Sequence, residues 1–319
     1  MTDYVLVCVD AAPYVSRLAD ICNIVDARRS IAAVDETVRA RAEIIVTSGL
    51  RGITREEIAL LPSLKMISCI GTGFDAVDIE AAAERGIFVT HAAGANAKAV
   101  ADHAMGLLLA VVRAIPAYDA GARKGGWREL MPERSMIGDK RIGLVGMGGI
   151  GQALARRAAG FDMEIAYHAT APKPDLPWRY VDNVVDLARD VDCLIASVPG
   201  GSATYHMIGR DVFEALGPNG FFVNVGRGSV TDTEALIDAL RNGTIAGAGL
   251  DVFENEPGIP KALLDVPNLV VTPHVGGVAL EAQDEAAARL LASVTALLAG
   301  NQPPGIIPPL RARFEKSAA

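Results

Sequence analysis

The sequence of 319 residues contains few cysteines and no long apolar run. Its cysteines are isolated among apolar neighbours, without the paired spacing of a metal site or the density of a disulfide scaffold. They are Cys8, Cys22, Cys69 and Cys193. We therefore expect reduced core thiols and no metal site. The longest apolar run, residues 104–112, falls far short of the ~18 residues that cross a bilayer, so no membrane partner is expected.

Positive charge is in deficit, because 30 Lys and Arg face 38 Asp and Glu, for a net charge of -8. This balance argues against a general attraction to nucleic acid or anionic lipid and favours a small-molecule partner. The opening residues, MTDYVLVCVD, place Asp3 before the apolar run and offer no basic leader. We therefore expect no secretory signal and a cytoplasmic protein.

Short β-rich runs alternate with longer helix-like segments, which predicts an α/β fold with parallel strands joined by crossover helices. The predicted strands are 4–9, 43–47, 65–69, 87–89, 141–145, 163–167, 193–197, 220–225, 246–250 and 269–272. A long helix-like stretch, 96–120, separates the first four strands from the rest and indicates a domain boundary near residue 97. Residues 279–298 predict one further long helix, and the prolines after it predict an irregular tail.

A glycine-rich turn lies between a strand and a helix at IGLVGMGGIG, residues 142–151. Gly146, Gly148 and Gly151 have GxGxxG spacing. The first allows a tight turn, the second lets the backbone approach a pyrophosphate, and the third lets the helix pack closely on the strand. The free N–H groups at the helix N-terminus then attract the anion. The segment predicts a dinucleotide cofactor.

The acidic residue that would hold the ribose 2′-hydroxyl of NAD is missing about 20 residues later. The segment reads EIAYHATAPK, so His168 and Thr170 occupy that region. Without a carboxylate there is no repulsion of a 2′-phosphate, and Lys173 or Arg179 would add positive charge. We predict NADP(H) as the preferred cofactor, with NAD(H) possible.

Three ionisable residues each follow a predicted strand, where an open parallel sheet places its ligand crevice. They are Arg227 in FFVNVGRGSV, Glu256 in GLDVFENEP and His274 in VVTPHVGG. With GTGFDAVDIEAA at 71–82 and AGANAKAVADHAMGLLLA at 93–110, these segments resemble the D-isomer-specific 2-hydroxyacid dehydrogenases from about residue 42 to 298.

The resemblance implies two doubly wound parallel-sheet domains. A Rossmann cofactor domain, residues 98–284, would be inserted into a flavodoxin-like substrate domain, residues 1–97 plus 285–319. The family places hinges near Asn96 and Ala279, with the substrate cleft between the domains. It transfers a hydride between a nicotinamide and the C2 carbon of a 2-keto acid.

The resemblance also implies the roles of individual residues. Arg227 would bind the substrate carboxylate and keto oxygen through its planar fork. His274 would be the general acid, and Glu256 would fix its tautomer and favour its protonated form. Glu256 also separates the chain from the formate dehydrogenase branch, which has Gln there.

The remaining implied contacts lie in both domains, and no metal ligand is among them. The substrate contacts, besides Arg227, are Leu50, Arg51, Thr72 and Gly73. The cofactor contacts are Gly146, Gly148, Gly149, Ile150, Gly151, His168, Thr170, Val198, Pro199, Val225, Asp251, His274 and Gly276.

Within the family, the missing acid and the Tyr167–His168 pair resemble the glyoxylate and hydroxypyruvate reductases. The PGG motif at 199–201 also suits a reductase of a bulkier keto acid, such as 2-ketogluconate. Phosphoglycerate dehydrogenase is disfavoured, because it normally prefers NAD and many members carry an added regulatory domain. A dinucleotide-sensing corepressor is the non-enzymatic alternative, because that group shares the fold and the triad of Arg227, Glu256 and His274. Family members form homodimers through the region of 104–112 and GGW at 125–127, so we expect a homodimer.

Overall fold

The computed structural model describes residues 4–315. They form two compact units, divided after Asn96 and after Gly277. The first unit contains residues 4–96 and 278–315, and the second contains residues 97–277. The sequence prediction had placed 278–284 in the second unit, whereas these residues lie in the first.

The first unit is built on a five-stranded parallel sheet in the order β2-β1-β3-β4-β5. Its elements up to Asn96 are β1 Tyr4–Val7, α1 Ala12–Val15, β2 Asn23–Asp26, α2 Glu36–Arg39, β3 Ala42–Thr47, α3 Arg55–Ala59, β4 Met66–Cys69, α4 Ile79–Glu84 and β5 Phe88–His91. This is the strand order of flavodoxin-like folds. The central strands β3 and β4 are almost wholly buried, as expected for a parallel sheet covered on both faces.

The second unit is built on a seven-stranded parallel sheet in the order β12-β11-β10-β9-β6-β7-β8. Its elements are α5 Ala97–Val112, α6 Ile115–Arg123, β6 Arg141–Val145, α7 Gly149–Ala159, β7 Glu164–His168, β8 Arg179–Tyr180, α8 Val184–Arg189, β9 Cys193–Ala196, α9 Arg210–Leu216, β10 Phe221–Asn224, α10 Thr233–Arg241, β11 Gly247–Leu250, α11 Lys261–Leu264 and β12 Leu269–Val271. The order reverses at β6, as in a Rossmann fold. The predicted fold class is confirmed.

The helix predicted over 96–120 is two helices, because α5 ends at Val112 and α6 begins at Ile115. Ala114 between them has φ 51°, in the left-handed region. Pro116 explains the break, since proline cannot donate the helical hydrogen bond and its ring clashes with the preceding turn. No single described helix is long and apolar enough to span a membrane, and α5 and α6 reach that length only together, across a 61° bend.

Two C-terminal helices complete the first unit, α12 Leu280–Leu298 and α13 Pro308–Glu315. Leu290 and Val294 of α12 pack with the buried residues of β1 and β3. The second helix was not predicted, because its four nearby prolines indicated an irregular tail. Proline is compatible with the first turn of a helix, and Leu310 is buried in the core of the unit.

Two strands were also missed, β2 and β8. Both lie at sheet edges, and three of the four β2 residues are exposed. Edge strands are less covered than central strands, so their sequences need no continuous apolar run.

All four cysteines are buried, as predicted. Burial raises the pKa of Cys193 to about 12 and that of Cys8 to about 11. These thiols are protonated at neutral pH and behave as core residues.

Candidate active site

The loop after β10 holds Arg227 through a buried asparagine. The Asn224 side-chain amide donates to the Arg227 carbonyl and to the Thr231 hydroxyl, both at 2.9 Å. Its oxygen accepts from the Gly226 N–H at 2.9 Å. These bonds fix the backbone on both sides of Arg227, whose side chain is half-buried. Asn224 was missed by sequence reasoning, although a polar residue ending the apolar strand FFVN is a visible signal.

The loops after β11 and β12 bring Glu256 and His274 together. The His274 Nδ1 lies 2.6 Å from Glu256 Oε2, and Glu256 Oε1 accepts from the Phe253 N–H at 2.9 Å. An ionised carboxylate only accepts, so the imidazole carries its hydrogen on Nδ1 and Nε2 remains for another partner. The carboxylate also complements the charge of a protonated ring.

The His274 backbone lies in the left-handed region, with φ 55°. Its N–H donates to the Asp251 carbonyl at 2.8 Å. Such a conformation costs about 1 to 3 kcal/mol in a non-glycine residue and persists only where surrounding contacts impose it. The contacts that impose it here centre on Asp251.

Asp251 is buried and its carboxylate binds the whole turn around His274. It accepts from the Thr272 hydroxyl at 2.6 Å and from the N–H groups of Val275 and Gly276 at 2.9 and 2.8 Å. His103 Nε2, from α5, lies 3.3 Å away. Burial alone raises the pKa of this carboxyl. The hydrogen bonds from His103, Thr272 and the two amides together lower the pKa by more than burial raises it, so the net pKa is below the usual value. His103 and Thr272 were not identified from the sequence.

The glycine turn after β6 has the geometry that a dinucleotide requires. Gly146 has φ +100°, and a Cβ on Gly151 would lie 2.0 Å from the Gly146 carbonyl oxygen. A Cβ on Gly148 would meet nothing within 4 Å, so this position is open. The α7 helix begins at Gly149 with no acidic residue in its first turn. Its N-terminus is therefore free to face a pyrophosphate.

The end of β7 presents no acidic side chain. His168 Nδ1 lies 3.1 Å from the Val181 carbonyl oxygen, and Thr170 is exposed. Lys173 is exposed nearby, with its backbone N–H bonded to the Tyr167 hydroxyl. Arg179 is paired with Ala166 in the sheet and with Asp190 at 3.0 Å, so it lies before the carboxyl end of β7. Because Asp190 binds the Arg179 guanidinium, Lys173 is the stronger candidate for the predicted positive charge.

The other predicted cofactor contacts of the second unit also lie at the carboxyl ends of its strands. Val198 and Pro199 follow β9, Val225 follows β10, and Gly276 follows β12. Gly276 approaches Asp251 so closely that a Cβ on it would lie 2.9 Å from Oδ2. Ile150 is half-buried in the first turn of α7. The sheet thus brings the triad and the glycine turn to one edge.

In the first unit, the loops after β3 and β4 pack on each other. A Cβ on Gly49 would lie 2.4 Å from the Gly73 carbonyl carbon, so only glycine permits this approach. Thr72 donates from its hydroxyl to Asn96 Oδ1 at 2.9 Å, and Leu50 is 59% exposed. The loops therefore bring the four predicted substrate residues of this unit close together.

The Arg51 guanidinium is bound by the first turn of the following helix, α3. Both of its terminal nitrogens lie 2.6 Å from the Glu57 carboxylate, which also caps α3. The pair is mostly enclosed, with side-chain exposures of 26% and 24%. This ion pair orders the loop that carries Leu50.

Among residues 4–315, no group of three or more metal-binding side chains is placed to hold a metal ion.

Comparisons with known proteins identify the family. Residues 105–276 match the D-isomer specific 2-hydroxyacid dehydrogenase NAD binding domain. A glyoxylate/hydroxypyruvate reductase of Arabidopsis thaliana is 38% identical over 264 residues, which is 82% of this chain and 81% of that protein. A 2-ketogluconate reductase of Gluconobacter oxydans is 40% identical over 238 residues, 74% of this chain and 77% of that protein.

A solved structure is equally similar. The NADPH-dependent glyoxylate/hydroxypyruvate reductase of Sinorhizobium meliloti, in complex with NADP and malonate, has a TM-score of 0.89 and 37% identity. The match covers 97% of each chain.

The fold and the site define a dinucleotide-dependent dehydrogenase. The chain belongs to the D-isomer specific 2-hydroxyacid dehydrogenase family, and its second unit contains the NAD binding domain of that family.

Proposed function

We propose that the protein reduces a small 2-keto acid, such as glyoxylate or hydroxypyruvate, to the D-2-hydroxy acid, with NADPH as the preferred cofactor. The 2.6 Å pair between His274 and Glu256 carries the proposal, because it orients a proton donor at the sheet edge that also bears Arg227 and the glycine turn. A hydride acceptor that becomes an alkoxide requires such a donor.

The protein residues divide the work by chemistry. The Arg227 guanidinium pairs with the substrate carboxylate and polarises the keto oxygen. His274 donates its Nε2 proton to that oxygen, while Glu256 keeps the ring oriented and stabilises its charge. When bound, the nicotinamide cofactor supplies the hydride. In the reverse direction, His274 accepts the proton from the hydroxyl group.

The first unit contributes its loop residues to the same proposal. The backbone amides of Thr72 and Gly73 bind the substrate carboxylate, and Leu50 and Arg51 border the substrate. The close approach of Gly49 to Gly73 supports this role, since it holds these backbones in one arrangement. The Arg51 contact is through its backbone or aliphatic stem, because Glu57 binds its guanidinium.

The preference for NADPH rests on the end of β7. The exposed Thr170 hydroxyl is a donor for a 2′-phosphate, and Lys173 adds positive charge. The His168 Nδ1–H already donates to the Val181 carbonyl, so Nε2 is a donor only when the ring is protonated. No carboxylate of this strand end repels the phosphate. The Sinorhizobium meliloti relative, which is NADPH-dependent, supports the same choice.

A bulkier substrate is the second candidate. The Gluconobacter oxydans relative is a 2-ketogluconate reductase, and the PGG segment, with Gly201 at φ +122°, leaves space after β9. A corepressor that only senses the dinucleotide is the non-enzymatic alternative. A substrate panel distinguishes these three possibilities.

The test is NAD(P)H oxidation with glyoxylate, hydroxypyruvate and 2-ketogluconate, each with NADPH and with NADH. We expect the highest kcat/KM for a small keto acid with NADPH. His168→Asp should shift the preference toward NADH by about tenfold or more, since ~1.4 kcal/mol suffices. No turnover of any keto acid would support the corepressor, and a higher kcat/KM with NADH would refute the cofactor preference.

Two further parts of the proposal concern the whole molecule. We propose a homodimer formed through the cofactor unit, supported by the exposed Trp127, Ile115 and Met136, which are 72%, 51% and 57% exposed. We also propose a cytoplasmic location, supported by the low number of cysteines, four, all of them buried. Cell fractionation tests the location.

A further inference from the structure

A further histidine–carboxylate pair lies in the second unit, apart from His274–Glu256 and His103–Asp251. His206 Nε2 lies 2.5 Å from Glu254 Oε1, and its Nδ1 lies 3.9 Å from Asp232 Oδ2. The ring stacks on Tyr205, with centroids 4.0 Å apart and an interplanar angle of 12°. Because the Glu254 carboxylate accepts, His206 carries a hydrogen on Nε2 whatever its charge.

The pair connects two segments that carry triad residues. The backbone N–H of His206 donates to the Ser229 carbonyl at 2.9 Å, in the turn that directly follows Arg227. Glu254 lies two residues before Glu256 in the loop after β11. His206 therefore joins the two segments, with its backbone bonded to the Arg227 turn and its ring to the Glu256 loop.

The two segments also touch directly. A Cβ on Gly228 would lie 1.9 Å from the Phe253 carbonyl carbon and 2.4 Å from the Glu254 nitrogen. With so little space between the backbones, a displacement of one segment displaces the other. Any contact that fixes Glu254 therefore also fixes the turn next to Arg227.

The backbone of His206 is itself strained, with φ 50°. A non-glycine residue keeps this conformation only where its surroundings determine it, and such outliers cluster at functional sites. Two backbone hydrogen bonds hold the strained segment in place. The His206 N–H donates to the Ser229 carbonyl and the Ile208 N–H to the Val230 carbonyl, each at 2.9 Å.

We propose that His206 and Glu254 form a clasp that sets the position of Arg227 relative to Glu256, so that His206 is a positioning residue for keto acid reduction. Only the kinetic effect of the clasp rests on the proposed function; its structural role does not. Misplacing reacting groups by about 1 Å costs up to a hundredfold in rate. Loss of the clasp therefore raises the keto acid KM through Arg227 and lowers kcat through Glu256 and His274, while NADPH binding stays unchanged.

Three substitutions at one position test the clasp. His206→Ala removes the hydrogen bond, and His206→Asn removes its reach while tolerating a left-handed backbone. His206→Gln restores an amide donor at a distance similar to Nε2. We expect Ala and Asn to lower keto acid kcat/KM about tenfold or more, with the NADPH Kd within about twofold, and Gln to recover most of the loss.

Arg210→Ala provides the matched control, because Arg210 lies four residues after His206 and forms an exposed ion pair with Asp238 at 3.1 Å. Its kcat/KM should equal that of the wild type. Folded His206→Asn and Glu254→Ala variants with wild-type kcat/KM would overturn the proposal, even if His206→Ala fails to fold.

Hydrogen exchange gives a readout that does not depend on activity. The amides of 229–231 and 253–256 should exchange faster in His206→Asn than in the wild type, while those of 149–155 in α7 should not change. If the wild type turns over no keto acid, the proposed function fails and this exchange experiment still decides the clasp. If the amides of both segments exchange at the same rates in His206→Asn as in the wild type, the clasp is refuted.

Discussion

At the residue scale, His274 depends on three separate groups for its position. Glu256 binds Nδ1, the Asp251 carbonyl binds the backbone N–H, and the Asp251 carboxylate binds the two following amides. The left-handed backbone at φ 55° is held by these bonds rather than by local preference. The imidazole is therefore placed before any substrate binds, which is the condition for efficient proton transfer.

His274→Asn tests the proton transfer without disturbing the turn, since Asn tolerates the left-handed region better than most residues. We expect kcat for keto acid reduction to fall by roughly two to four orders of magnitude. NADPH affinity should change far less than kcat, although loss of the bond to Glu256 lowers Tm. Steady-state kinetics and NADPH titration provide the measurements, and near-normal turnover would disprove the assignment of His274 as the general acid.

Asp251→Asn tests the charge that organises the same turn. The pKa of Asp251 is lower folded than unfolded, so its contribution to stability is present above the unfolded pKa, about 3.9, and is lost as pH falls through the folded value. An amide would also place a donor against another donor. We expect the free energy of unfolding to drop by about 1 to 3 kcal/mol at pH 7.

The pH dependence separates the charge from a simple packing defect. The stability difference between wild type and Asp251→Asn should shrink as pH falls below about 4. Denaturant unfolding from pH 3 to 7 measures it, with the exposed Asp119→Asn as a control that should change stability little. A difference that is constant over this range would contradict the argument.

At the element scale, two glycines of the β6–α7 connection, Gly148 and Gly151, have different roles. Gly151 lies against the Gly146 carbonyl and is required for the helix to pack, whereas Gly148 faces open space. The same GxGxxG pattern therefore contains a position required by the fold and a position available to a ligand. The sequence shows the spacing, and the distances in the structure show which glycine the fold requires and which one is available to a ligand.

Matched alanine substitutions separate these roles. Gly151→Ala should destabilise the protein by about 1 to 3 kcal/mol or more through overpacking. Gly148→Ala should keep the wild-type Tm and weaken NADPH binding about tenfold or more, since its methyl occupies the space for the pyrophosphate. Calorimetric titration and thermal unfolding measure the two effects.

Gly106→Ala is the control for both, because its Cβ also meets nothing within 4 Å but lies on α5. It should leave NADPH binding unchanged and raise stability slightly, since alanine favours a helix interior. Unaltered NADPH binding by Gly148→Ala would show that the open position is not the pyrophosphate site.

At the scale of the whole molecule, the apolar helix that motivated the dimer prediction is used by the chain itself. Six residues of 104–112 are buried in the core of the second unit: Ala104, Met105, Leu107, Leu108, Val111 and Val112. The argument for self-association therefore moves to the exposed apolar residues of 115–136, above all Trp127.

Sedimentation tests the dimer. At micromolar concentration we expect twice the 33.4 kDa mass of the chain. Trp127→Glu should shift the equilibrium toward the monomer, whereas Leu264→Glu, at another exposed apolar site, should not. A wild-type protein that sediments only at ~33 kDa would reject the proposal.

The sequence by itself determined the α/β class and the dinucleotide turn. These features follow from local patterns, since buried parallel strands need continuous apolar runs and the glycine turn needs a fixed spacing. The same logic failed at β2, β8 and α13, where burial depends on distant partners rather than on the residue run itself. The roles of Arg227, Glu256 and His274 were predicted from the family resemblance and stay predictions.

Only the tertiary structure decided which side chains support the triad. His103 lies 169 positions before Thr272, and His206 lies 48 before Glu254, so no local pattern reveals that they meet. The tertiary structure also bound the Arg51 guanidinium to Glu57 and directed Arg179 to Asp190. The sequence gives the charge of a side chain. Its hydrogen-bond or ion-pair partner depends on how the sheet brings the carboxyl ends of separate strands together.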